Sequence, residues 1–89
     1  MVIVEFAASL RRHVECAPQQ IAEGSLRQVL EAAMLAAPDL AHYVFDDQRN
    51  IRKHVAVFIN QALVLDRQHL DQTLQPGDRV LVIQALTGG

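Results

Sequence analysis

Eighty-nine residues, 51% hydrophobic and 20% charged, suffice for one globular domain with one core and are the wrong composition for long disorder. The net charge of -2 argues against a nucleic-acid binder, which needs a basic stripe against phosphates, and the lone cysteine, Cys16, rules out an internal disulfide and fits a reducing compartment. The opening "MVIVEFAASL" lacks the basic start and long apolar run of a signal peptide, and no stretch of about 18 apolar residues exists to span a membrane, so a cytoplasmic protein is expected.

In chain order, "VIVEF" at Val2 to Phe6 is rich in β-branched and aromatic residues, and "HVECA" at His13 to Ala17 is a second strand candidate, which together predict an opening hairpin. Ser25 followed three places on by Gln28 has the spacing of a capping box, and Pro38 stops the helix that it opens. Between them Leu26, Val29, Leu30, Ala33, Met34 and Ala37 share one helical face, which must cover a sheet or another helix. "DDQRN" reads as a loop. "HVAVFIN" then alternates as a strand, with Val55, Val57 and Ile59 on one side and Ala56 and Phe58 on the other. Asn60-Gln61 starts a tight turn into "ALVL". "DRQHLDQTL" supports no more than a short helical turn or loop, "QPGD" is a turn by its chemistry, and "RVLVIQAL" is the last strand. The order strand, strand, helix, strand, short strand, strand predicts an α+β domain over residues 1–89, a β-grasp with a mixed sheet of four or five strands and one main helix on one face.

No catalytic constellation stands out. His13, His42, His54 and His69 lack the three- or four-residue spacing of a metal site, and neither His-Glu-x-x-His nor Cys-x-x-Cys occurs. Ser25 is a cap, Ser9 lies in a predicted turn, and Cys16 beside Glu15 lacks the positive charge that would activate a thiol. Asp46-Asp47 reads as a solvated pair, and Arg49, Arg52, Lys53 and His54 as a solvated loop, because no aromatic residue is interleaved for base stacking. Gly24 and Gly77 stand alone, so no phosphate loop is present. No bound cofactor or metal is expected.

The unusual place is the end, Thr87-Gly88-Gly89. A carboxylate is a poor electrophile and must be activated, most simply as an acyl-adenylate, by another enzyme. Glycine, with no Cβ and nearly unrestricted φ, lets a terminus thread a narrow channel to reach it.

From "HVAVFINQALVL" through "LQPGDRVLVIQALTGG" the chain resembles the ubiquitin-like sulfur carriers, which include the small subunit of molybdopterin synthase and the carriers of thiamin and cysteine pathways. The resemblance implies a protein co-substrate and not an enzyme, unless it pairs with a molybdopterin synthase large subunit. A ubiquitin-activating-like adenylyltransferase would adenylate Gly89 using ATP and magnesium, a sulfur donor would convert it to a thiocarboxylate, and an acceptor biosynthetic enzyme would take the sulfur. Gly88 would give clearance in the channel, and Asn60, Gly77 and Asp78 would hold turns. Two features depart from the family pattern. Gln84-Ala85 stands where members often have proline, so the tail is less rigid, and the connection from Gln61 to Asp78 is long, as in the cysteine-pathway type.

Docking needs an apolar patch. If Val80 and Val82 face the helix, Leu81 and Ile83 lie outside, and with Leu63, Leu86 and Thr87 they are the expected partner contacts. Two other functions suit the same fold: a modifier joined covalently to lysines of other proteins, and a non-covalent β-grasp interaction domain for which the tail is irrelevant.

Overall fold

The structure, a computed structural model, describes residues 1–7 and 18–84. Its strands are β1 (Val2–Phe6), β2 (Gln19–Ile21), β3 (Val55–Ile59), β4 (Ala62–Leu63) and β5 (Arg79–Gln84), hydrogen-bonded in the order β2-β1-β5-β3-β4. The first and last strands, β1 and β5, run parallel at the centre, while the other neighbours are antiparallel. A parallel pair requires a long crossover. Here the crossover contains the helices α1 (Leu26–Ala36) and α2 (Pro38–Val44).

The predicted α+β, β-grasp architecture holds. Leu26, Val29, Leu30, Ala33 and Met34 of α1 are buried against Val2, Val4 and Phe6 of β1, Val55 and Val57 of β3, and Val80 and Val82 of β5. Ser25 makes the capping box reciprocal: its Oγ accepts the Gln28 N–H at 3.1 Å, and Gln28 Oε1 accepts the Ser25 N–H at 3.0 Å. A cap of this kind stabilises a helix by about 1 kcal/mol.

One expectation needs correction, and another lies outside the described residues. Pro38 does end α1, but it also opens a second helix from the N1 position, where its missing N–H costs nothing, and Leu40 and Val44, four residues apart, bury that helix. The partner of β1 is Gln19–Ile21, whose polar composition hides it, and the candidate "HVECA" lies outside the described residues.

The connection after β4 is more than a spacer. Leu70 and Leu74, its predicted apolar residues, are buried, and the first two N–H groups of α1 donate into it, Leu26 to Gln72 O at 3.0 Å and Arg27 to Leu70 O at 2.9 Å. The loop therefore satisfies orphan donors at the helix start. The Arg27 guanidinium clamps it further, donating to Arg49 O and Gln68 O. No buried polar or charged residue occurs among the described residues.

Candidate functional site

Alternation along β5 sets Val80 and Val82 into the core at 0% exposure, so Leu81 and Ile83 face the opposite side of the sheet. Leu81 is 37% exposed and Ile83 half-buried. Leu81 stands across from Glu5 on β1 and Phe58 on β3, and Phe58 stands across from Leu63 on β4. The row Glu5, Leu81, Phe58, Leu63 therefore crosses four strands on one face, with Ile83 opposite Ala56 in the row beside it.

Leu81 and Ile83 thus face outward, as alternation predicts, and the strand register brings Leu63 onto the same face. Phe58 joins them, although sequence reasoning put it only on the side of β3 opposite Val55 and Val57 and gave it no part in the patch. Its place between two predicted contacts follows only from the strand register. The patch borders a charged pair, Arg79 Nη1 to Glu5 Oε1 at 2.9 Å, so the face is apolar toward β4 and ionic toward β1.

Two turns fix β5 in this position. Asn60 (φ 48°) and Gln61 (φ 73°) are both left-handed, the conformation of the tight hairpin turn joining β3 to β4. Gly77 (φ 88°) makes the turn into β5 and donates its N–H to Met1 O at 3.0 Å. Asp78 Oδ2 accepts the Gln75 N–H at 2.8 Å and Oδ1 accepts from Asn60 Nδ2 at 2.9 Å. Those two bonds, the backbone one first, hold the Asp78 carboxyl below its ordinary range. Asn60, Gly77 and Asp78 occupy the turns assigned to them.

Several other residues weighed in the sequence have structural partners. Asp46 Oδ1 accepts the Gln48 and Asn50 N–H groups, which makes it a turn residue. His69 Nδ1 lies 2.9 Å from Asp66 Oδ2. Among the described residues no group of three His, Cys, Asp or Glu could hold a metal ion, and no helix is long and apolar enough to cross a membrane. The predicted tail contacts, Leu86, Thr87, Gly88 and Gly89, lie outside the described residues, as do Ser9, His13 and Cys16. The last described residue, Gln84, is paired with Val55 at the edge where β3 begins.

A mixed sheet that grasps one main helix on one face and bares an apolar row on the other defines a ubiquitin-like β-grasp protein. The chain matches the ThiS family over residues 4–89 and belongs to it. No curated protein matches. Among solved structures, a chain of the Amycolatopsis orientalis BexX/CysO complex is similar with a TM-score of 0.80 at 15% identity, covering 100% of both chains. The small archaeal modifier protein 1 of Methanosarcina acetivorans gives 0.79 at 20% identity, covering 99% of this chain and 95% of that one. A chain of the complex of subunits 1 and 2 of the Helicobacter pylori molybdopterin-converting factor gives 0.64 at 19% identity, covering 99% and 97%. At these identities the structures show the shared fold. Family and fold together support a sulfur carrier or a ubiquitin-like modifier, small proteins that are not themselves catalysts.

Proposed function

We propose that the chain is a sulfur carrier whose Gly89 carboxylate is adenylated by a ubiquitin-activating-like enzyme with ATP and magnesium and then converted to a thiocarboxylate. The observation that carries this is the family match, which runs through the Gly-Gly end to residue 89. Adenylation supplies the leaving group: the carboxylate oxygen attacks the α-phosphorus of ATP and pyrophosphate departs; sulfide then displaces AMP at the acyl carbon, or the outer sulfur of a persulfide displaces it to give an acyl disulfide, whose S–S bond a thiol cleaves to release the thiocarboxylate and a mixed disulfide. The thiocarboxylate sulfur is more nucleophilic than the oxygen it replaces, and the acceptor enzyme of a cofactor or thiol pathway uses it. The domain supplies recognition, with Leu63, Phe58, Leu81 and Ile83 as the docking patch and Leu86 and Thr87 as contacts leading to the threaded glycines. Gly88 leaves clearance where a Cβ would obstruct closure over the tail. The cytoplasm is the compartment this chemistry suits, since thiols and ATP are both available there.

Mass spectrometry of the protein isolated from its own host tests this. Replacement of one oxygen by sulfur, localised to Gly89, is the expected result. An isopeptide from Gly89 to lysines of other proteins, with no sulfur gain, would assign the modifier role instead.

A further inference from the structure

The sheet order leaves β2 and β4 as its free edges, and they are guarded differently. An open edge offers unpaired N–H and C=O groups to any extended chain, and proteins blunt it with proline, charged side chains or a cover. At β2, Pro18 precedes the strand and removes a donor, and the Gln19 side chain is turned inward to donate to Ala33 O at 3.2 Å. Along β4 and its continuation, Ala62 to Leu65, the run "ALVL" carries neither proline nor charge.

The register fixes what this edge presents. Ile59 and Ala62 close the hairpin, and the Val64 N–H donates to Val57 O at 2.8 Å. Bonded and non-bonded pairs alternate along an antiparallel ladder, so the N–H and C=O of Leu63, set between those pairs, point away from β3. One pair further on, Leu65 stands opposite Ala56 with the same outward backbone. Exposure follows the alternation: Val64 is 4% exposed, Leu63 49% and Leu65 82%. Among the described residues nothing hydrogen-bonds to the outward groups of Leu63 and Leu65. The Asp66 carboxylate that ends the run is taken up in its own turn, where Oδ1 accepts the Gln68 and His69 N–H groups.

We propose that β4 is a dimerisation edge, occupied by β4 of a second copy of this chain running antiparallel across a two-fold axis at Val64. An antiparallel edge is its own complement, because the two-fold sets each outward N–H opposite an outward C=O. In this register Leu63 exchanges backbone bonds with Leu65 of the second copy, and Leu65 does so with the second copy's Leu63. Asp66 falls opposite Ala62, so no like charges meet. Opposed residues share a face of the sheet, which gathers Leu63 and Leu65 of both copies into one ridge on the outer face and keeps Val64 on the helix side. Side chains stand perpendicular to the sheet, so Phe58 and Leu81 stay open and the two outer faces merge into one. A ladder this short buries less than the roughly 800 Å² per partner of a standard interface, which sets the dissociation constant on the order of 0.1 mM. The pairing is independent of the sulfur chemistry.

Sedimentation equilibrium and amide hydrogen exchange on the full chain, at about 10 µM and about 1 mM, test this. The expected result is monomer at the lower concentration and mostly dimer at the higher. The Leu63 and Leu65 amides should slow only in the dimer, while the Val64 amide, bonded within the chain, should be equally protected in both. Leu65→Pro removes an outward donor that the fold does not use, and should raise the dissociation constant at least about tenfold with the melting profile kept. Leu65→Lys retains the N–H and charges the edge, and should weaken the dimer even if the proline variant proves unstable. A chain that stays monomeric at about 1 mM overturns the proposal. So does a dimer that Leu65→Lys leaves intact, or one whose Leu63 and Leu65 amides exchange as in the monomer. Slowing of those amides only when the host's activating enzyme is added to a monomeric chain would give the edge to that enzyme, overturning the second-copy assignment and leaving the sulfur-carrier reading standing.

Discussion

Asn60 Nδ2 donates to Asp78 Oδ1 at 2.9 Å, joining two turns eighteen residues apart in the chain. The same Asn60 accepts the Arg79 N–H through Oδ1 at 3.0 Å and donates its own N–H to Arg79 O at 2.9 Å. One side chain thus ties the β3–β4 turn to the first residue of β5, the strand that displays Leu81 and leads to the tail. Asn60→Ala removes both side-chain bonds and places alanine at φ 48°, a conformation asparagine tolerates better. The expected loss is about 1 to 2 kcal/mol in denaturant melts.

Acid sensitivity should concentrate in the loop that caps α1. The Asp66 carboxyl is lowered from 3.8 to about 2 by the N–H of His69, then that of Gln68, then the His69 ring. A depressed carboxylate stabilises the fold fully above its unfolded value and loses that contribution as pH falls through its folded one. Asp66→Asn should therefore be less stable than the native protein above about pH 4, with the gap closing between roughly pH 4 and pH 2. A constant gap in urea melts across that interval would show that the carboxylate charge is not what holds the loop.

Met34 faces the sheet from α1 and is 6% exposed. Met34→Asp buries an unpaired charge and should cost several kcal/mol, roughly 3 to 5, lowering Tm steeply or abolishing cooperative melting.

Leu81 is a sharper probe of the docking patch than Ile83, which is half-buried and whose change to aspartate combines lost binding with lost packing. Leu81→Asp should keep the native melting profile within about 1 kcal/mol and weaken binding to the activating enzyme about tenfold or more, as removal of a central apolar contact does. Calorimetric binding equal to that of the native protein would remove the outer face from the docking interface.

Helix α1, its cap, both left-handed turns and the inward side of β3 and β5 were legible because each rests on local chemistry: Ser25 with Gln28, Asn60-Gln61, Gly77, and alternating valines. What escaped was set by tertiary contact. Gln19–Ile21 becomes a strand because β1 offers it an unpaired edge, not because "QQI" favours extension. The second helix had a readable signal in Pro38 at N1 with Leu40 and Val44 four apart, masked when proline was taken only as a stop. Phe58 joined the patch through register, which a single strand does not reveal.

Gly88 is where the proposed chemistry is most exposed to a single methyl group. Gly88→Ala adds a Cβ where the activating enzyme must close over the tail and removes φ freedom from the threaded chain. The domain should be indifferent, because among the described residues the core is built from Val2 to Val82. Thr87→Ala, one position earlier and outside the narrowest part of the channel, should adenylate at close to the native rate. With the cognate enzyme and ATP, pyrophosphate release should fall at least about tenfold in Gly88→Ala, a barrier increase of about 1.4 kcal/mol. It should vanish when Gly89 is deleted or extended by a tag. Full turnover by the extended protein would mean that the Gly89 carboxylate is not the reacting group, and the sulfur-carrier assignment would fall with it.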